Sequence, residues 1–282
     1  GSRNDSLAVA NDEVDGNLFL GQGKGKLKDI GVESGTARDR DGSIHAGMGI
    51  DWGDFNNDGL LDLFVTTFRS EAKSLYKNAG DRFFSDTAYE SGVGRPILPY
   101  VSFGTKFLDA DNDGWLDLVI ASGHVQDNIE QIEDTTYKQP LIFLRNQGAN
   151  GQPVFEDISQ GAGIAALGKM VGRVLAVGDY DNDGRVDVLV IDSEGPVRLL
   201  HNESEKTGHW LLLQLQGGSP TNKSNRSAHG ALITVKVGNK TLLRHCQTDG
   251  SYMSASDVRV HIGLGEATKA EVTVQWPGGV KK

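Results

Sequence analysis

The chain has 282 residues, of which 37 are glycine, seven proline and one cysteine, and it carries a formal charge of −10. No apolar run reaches the roughly 18 residues a membrane-spanning helix needs, and the glycines lack the three-residue period of collagen. The single cysteine, Cys246, excludes an intrachain disulfide framework, and the acidic balance argues against a nucleic-acid-binding face.

The chain opens on a strand-like run, Leu7 to Ala10, followed by Leu18-Phe19-Leu20-Gly21-Gln22-Gly23 and Leu27-Lys28-Asp29. A nine-residue pattern then occurs three times. It reads Asp54-Phe-Asn56-Asn-Asp58-Gly59-Leu60-Leu-Asp62, Asp109-Ala-Asp111-Asn-Asp113-Gly114-Trp115-Leu-Asp117 and Asp179-Tyr-Asp181-Asn-Asp183-Gly184-Arg185-Val-Asp187. Each copy follows a short apolar stretch and runs into another: Leu63 to Val65, Leu118 to Ile120 and Val188 to Val190. A looser phrase follows, as Leu75-Tyr76-Lys77-Asn78-Ala79-Gly80 with Phe84-Ser85-Asp86, and as Ile142-Phe143-Leu144-Arg145-Asn146-Gln147-Gly148 with Phe155-Glu156-Asp157. The unit is therefore strand, aspartate loop, strand, turn, strand, Gly-rich turn, strand. Four short strands per unit, repeated at spacings of 55 and 70 residues, predict propeller blades.

The fold expected is all-β: an open-arc partial β-propeller of about three and a half four-stranded blades over residues 1–205, then a small β-rich domain over 206–282. Residues 5–35 supply outer strands without an inner strand or aspartate loop, so the remaining blades are expected N-terminal of Gly1. Because the sequence does not begin with Met, the lack of a signal peptide says nothing about localisation. The longer second spacing stems from an insertion, Ala121 to Pro140, of a length that is usually functional or disordered. In the C-terminal part, Trp210 to Leu215 is apolar on both faces and predicts a central strand. Ala231 to Val237 and Thr241 to Cys246 predict a hairpin closed by Gly238-Asn239, and Arg259 to Ile262 and Glu271 to Trp276 two further strands.

Oxygen donors at positions 1, 3, 5 and 9, with glycine at 6, match the front of a calcium loop. The donors would be Asp54, Asn56, Asp58 and Asp62; Asp109, Asp111, Asp113 and Asp117; and Asp179, Asp181, Asp183 and Asp187. Position 7 would add a backbone carbonyl: Leu60, Trp115 and Arg185. An EF-hand would carry Glu at position 12, yet Val65, Ile120 and Val190 stand there, and the flanks are strands. The alternative is an aspartate-rich turn capped by its own side chains. Carboxylates this crowded, three times in register, favour a hard cation, and three Ca2+ sites are expected.

These phrases resemble the FG-GAP/VCBS repeats of integrin α-chain propellers. They include Gly47-Met-Gly49-Ile-Asp51-Trp-Gly53-Asp54, Phe103-Gly104-Thr-Lys-Phe-Leu-Asp109 and Gly172-Arg-Val174-Leu-Ala-Val-Gly178-Asp179. Val174 departs from the pattern where the other copies have Gly49 and Gly104. Residues 208–280 are similar to the ASPIC/UnbV domain through His209-Trp210-Leu211-Leu212, Ser224-Asn225-Arg226, Gly250 to Asp257, His261-Ile-Gly263-Leu-Gly265 and Val274 to Gly279. The combination resembles the bacterial relatives of cartilage acidic protein, and it implies the fold and the calcium sites.

No catalytic pattern emerges. There is no Gly-x-Ser-x-Gly elbow, no phosphate loop and no paired-histidine spacing. Cys246 beside His245 reads as a buried thiol, His209 and His261 as strand residues, and Ser254, Ser256 and Asp257 equally as a nucleophile-and-base grouping or as a Ser-rich turn ahead of a strand. The face opposite the aspartate loops would gather Arg38, Arg40, His45, Arg69, Arg95, Tyr100 and His124, which suits an anionic protein or polysaccharide ligand or is a solvated rim. Three readings follow. The first is an extracellular or periplasmic calcium-binding recognition or adhesion module with a protein or glycan ligand and no catalysis. The second is a polysaccharide lyase or hydrolase with a site elsewhere. The third is a structural spacer of a larger secreted protein.

Overall fold

A computed structural model describes residues 6–148, 155–205, 207–219 and 224–281. Gly1 to Asp5, the Gly-rich turn ahead of Phe155, the boundary residue Lys206 and Lys282 lie outside them. The architecture is all-β and antiparallel. Strands β1 (Ser6–Val9), β2 (Asn17–Gly23) and β3 (Lys26–Asp29) form a first sheet, followed by a helical turn, α1 (Gly31–Ser34). Strands β4 (Ile50–Gly53), β5 (Asp62–Val65), β6 (Ser74–Gly80) and β7 (Phe83–Asp86) form a meander in sequence order. The turn α2 (Gly94–Ile97) leads to a second meander of β8 (Ser102–Leu108), β9 (Asp117–Ser122), β10 (Ile142–Asn146) and β11 (Phe155–Asp157).

The third unit stops short of the four-strand repeat. Its described strands are β12 (Gly172–Gly178), β13 (Asp187–Asp192) and β14 (Arg198–Leu200). The reason is visible in the sequence: after His201-Asn202 there is no Gly-rich turn and no Phe-x-Asp phrase to make an outer strand.

The sheets stack face to face in an arc. Phe64 and Leu75 of one meander pack against Phe107, Leu118 and Ile120 of the next. Val119 and Leu141 meet Leu175, Val188 and Val190 of the third sheet, while Leu18 and Leu20 of the first sheet meet Trp52 and Phe84. The innermost strands β4, β8 and β12 run side by side. Their approach explains two glycines. A Cβ on Gly49 would lie 1.9 Å from the Phe103 carbonyl oxygen, and one on Gly104 would lie 2.7 Å from that of Arg173. Val174, the equivalent residue of the last sheet in the arc, is half-buried and keeps its side chain. The 121–140 insertion is anchored at a few points while most of residues 125–134 stay exposed: Ile129 is fully buried, and Gln139 and Met170 pair backbone to backbone.

The C-terminal strands form two small sheets, β15 (His209–Leu213) with β18 (Val260–Gly265), and β17 (Lys240–His245), β16 (Leu232–Val237), β19 (Glu271–Gln275) in that order. The hairpin closes through Gly238-Asn239 as expected, with Val237 opposite Lys240. The strand expected to be central is not: among the described residues β15 pairs with β18 alone. Leu211 and Leu213 face the core, but Trp210 packs on Gly184 of the third aspartate loop, and Leu212 borders the cavity under the loops. The second apolar face meets another part of the chain instead of flanking strands.

Candidate metal centres

Each aspartate loop folds by one hydrogen-bond pattern. The first-position carboxylate takes two amides: Asp54 from Asp58 and Gly59, Asp109 from Asp113 and Gly114, Asp179 from Asp183 and Gly184, all at 2.9–3.1 Å. The fifth-position carboxylate takes the amide of position 7, so Leu60, Trp115 and Arg185 donate to Asp58, Asp113 and Asp183. The ninth ties the loop to the third strand: Asp62, Asp117 and Asp187 accept from the amides of Asn78, Asn146 and Asn202 at 2.8–2.9 Å. Glycine is required at position 6, where φ is +85°, +90° and +85°. The turn draws the side chains inward. Ligand atoms of Asp109, Asp111 and Asp113 lie within 4.8 Å of one another, as do those of Asp179, Asp181 and Asp187. In the first loop Asn56 takes the third position and its amide donates to Asp58 at 2.9 Å.

Burial raises six of these carboxyls above the usual carboxylate range. Asp54 is pushed up to about 6, Asp109 to about 7 and Asp62 to about 8; Asp117 is raised well above its ordinary value, and Asp113 and Asp187 also rise. Buried carboxyls this close raise one another further. Oxygen-only donor sets of this kind can hold a hard divalent ion.

The description FG-GAP-like repeat matches residues 3–65, 54–120 and 109–190, and ASPIC and UnbV matches 221–282. The chain belongs to the FG-GAP-like repeat family. It is 24% identical to cartilage acidic protein 1 of Mus musculus over 310 residues (92% of this chain, 45% of that protein), and 25% identical to that of Xenopus tropicalis over 274 residues (93% and 38%). The human protein is 23% identical over 310 residues, 92% of this chain and 44% of its own length. The chain thus spans less than half the length of the curated relatives it matches.

Two asparagines in each FG-GAP-like repeat do structural work that the donor pattern alone passes over. Asn57, Asn112 and Asn182 adopt positive φ at position 4. Asn57 Nδ2 donates to the carbonyl of Gly114 at 3.2 Å, and Asn112 Nδ2 to that of Gly184 at 3.0 Å, so each loop is hooked to the next. Asn78, Asn146 and Asn202 bridge from the third strand to the loop carbonyls of Leu61, Leu116 and Val186. Their signal was available: the same residue at the same place in all three copies.

The C-terminal strands close over the loop face. Arg244, buried, donates to the Gly114 carbonyl at 3.0 Å, and His261 Nε2 lies 2.9 Å from that of Gly184. Arg259 donates to the Asp179 carbonyl at 2.7 Å. The segment 247–257 crosses all three inner strands: Ser251 pairs with Ile50, Ser254 Oγ donates to Leu175, and Ser256 Oγ accepts from the Val177 amide. A buried ion pair, Lys106 to Asp51 at 2.7 Å, is joined there by Gln247. Between the two parts lies a cavity of about 120 Å³ lined by Asp51, Lys106, Asp109, Arg244, Gln247 and His261. Cys246 is buried, and burial pushes its thiol up.

On the opposite side the structure brings together part of the expected surface. Arg69 pairs with Glu133 of the insertion, Phe68 packs edge-on against His124, and the Tyr100 carbonyl accepts from the buried Lys73. His124 is itself buried, and Tyr100 packs on the core. Arg38, Arg40 and His45 precede β4 and pair with Asp15, Glu90 and Asp39. Arg95 lies in α2 and is exposed. Arg38, Arg40, His45 and Arg69 are matched by acids, so the surface is of mixed charge. No helix of the described residues is long and apolar enough to cross a membrane.

Proposed function

We propose that this chain is a calcium-braced recognition module of a protein working outside the cytoplasm, in two parts, 1–205 and 206–282, with no reaction of its own. The observation that carries this reading is the recurrence of buried carboxylates in three loops of one hydrogen-bond pattern, two of them gathering three carboxylates each. The donors fit Ca2+: oxygen only, on flexible loops, without histidine or cysteine at positions 1, 3, 5 and 9. In this reading Asp54, Asn56, Asp58 and Asp62 hold one ion with the Leu60 carbonyl, and the second and third loops each hold another with Trp115 and Arg185. A bound ion supplies the positive charge that the buried carboxyls lack. Loops of this openness suit the high calcium of extracellular or periplasmic space.

The mixed-charge rim of Arg69, Arg95 and the 121–140 insertion supports a protein or glycan ligand, in keeping with a repeat family of propeller type. Calorimetric calcium titration tests the metal reading, and an array of glycans and proteins probed with and without chelator tests recognition. Three sites, and array binding lost with chelator, are expected; absence of any calcium uptake refutes the metal reading.

A further inference from the structure

The third aspartate loop carries a donor that its two counterparts lack. In each unit a residue followed by asparagine stands in the third strand or just after it: Lys77-Asn78, Arg145-Asn146 and His201-Asn202. Because each asparagine amide binds the ninth-position aspartate, the residue before it occupies one structural position. In the second unit that residue is a guanidinium, and Arg145 pairs with the third-position Asp111. In the third unit it is an imidazole. His201 Nε2 lies 3.2 Å from Asp181 Oδ2 and 3.6 Å from Asp183 Oδ2.

We propose that Asp181, Asp183 and His201 form a second kind of metal site, for a borderline first-row divalent ion such as Zn2+, beside the calcium site of the third loop and sharing Asp181 and Asp183 with it. Donors bound at about 2.0–2.1 Å in a tetrahedral shell stand about 3.3 Å apart, close to the separations seen. An imidazole nitrogen added to two carboxylates moves the preference from hard ions toward zinc. The ring is held by its edge contact with Tyr180, centroids 5.7 Å apart. The donor side chains are part-exposed, at 34% for His201 and Asp181 and 24% for Asp183, so water can complete the shell. Arg185 also pairs with Asp183 and donates from Nε to the Asn202 carbonyl. A part-exposed ion pair contributes little, so a divalent ion can displace it.

The test uses the full chain in excess calcium at neutral pH. Zn2+ is titrated by calorimetry while the imidazole resonances are followed by long-range proton–nitrogen NMR. One zinc site is expected whose filling shifts the His201 Nε2 resonance. His201→Gln weakens it about tenfold or more, and so does His201→Arg, which copies the second unit. Circular dichroism checks that the variants fold, and the wild-type NMR shift stands without them. Equal zinc affinity in wild type and His201→Gln, or filling that leaves His201 unmoved, overturns the proposal.

Discussion

Arg244 Nη2 sits 3.0 Å from the carbonyl oxygen of Gly114, so a cation from the C-terminal strands is buried against the second aspartate loop. Asp109, Asp54 and Asp113 are the acids that act on this guanidinium. It is thus a fixed positive charge placed among the carboxylates of two loops. Arg244→Met leaves the Gly114 carbonyl with one donor fewer and the carboxylates with less compensation. A loss of about 2–4 kcal/mol is expected in urea unfolding, larger in EDTA than in calcium. Equal losses in both conditions would show that the guanidinium and the metal sites are not electrostatically coupled.

The hook from Asn112 to Gly184 separates into two effects. Asn112→Gly keeps the positive φ of +61° accessible and removes only the hydrogen bond, for about 1 kcal/mol. Asn112→Ala also forces a non-glycine, non-asparagine residue into the left-handed region, adding about 1 kcal/mol. Thermal unfolding of the two variants checks the order. If alanine is no worse than glycine, the backbone at position 4 is not what asparagine provides.

Local repetition is what made the blades and loops readable. Three copies in register show which positions carry carboxylates, where glycine must turn the chain, and where strands begin. Long-range contact was less visible. Ser254 and Ser256 read equally as a nucleophile-and-base grouping with Asp257 or as a Ser-rich turn, yet their hydroxyls bind the inner strand β12 some 79 residues away. Trp210 to Leu215 read as a central strand because apolar residues fall on both faces; the second face is apolar because it meets the third loop. The absence of glycine at Val174 had a meaning that only stacking revealed, since Gly49 and Gly104 are small because the next inner strand passes over them.

That stacking gives a sharp substitution test. A methyl group on Gly49 would collide with the Phe103 carbonyl, and backbone cannot rotate away as a side chain can. Gly49→Ala is expected to cost about 3 kcal/mol or more by prying β4 from β8. Val174→Gly, at the matching place, loses only part of a half-buried side chain and some strand propensity, about 1–2 kcal/mol. Chemical denaturation of both variants decides the matter, and a Gly49→Ala variant as stable as wild type would mean the inner strands are not this close.

Calcium and pH should act on the same carboxyls in opposite senses. In the metal-free chain Asp54, Asp109 and Asp62 have folded values of about 6, 7 and 8, above the unfolded range near 4. A raised acid contributes stability that is fully present below about pH 4 and is lost as pH rises through its folded value. In EDTA the melting temperature should therefore fall between about pH 5 and pH 8. Calcium needs the same groups deprotonated, so its stabilisation should grow over that window. At calcium about a hundredfold above its Kd, each site adds about 2.7 kcal/mol. Differential scanning calorimetry across this pH range, with and without calcium, measures both trends. A calcium increment independent of pH would mean that these buried carboxyls are not the groups that bind the ion.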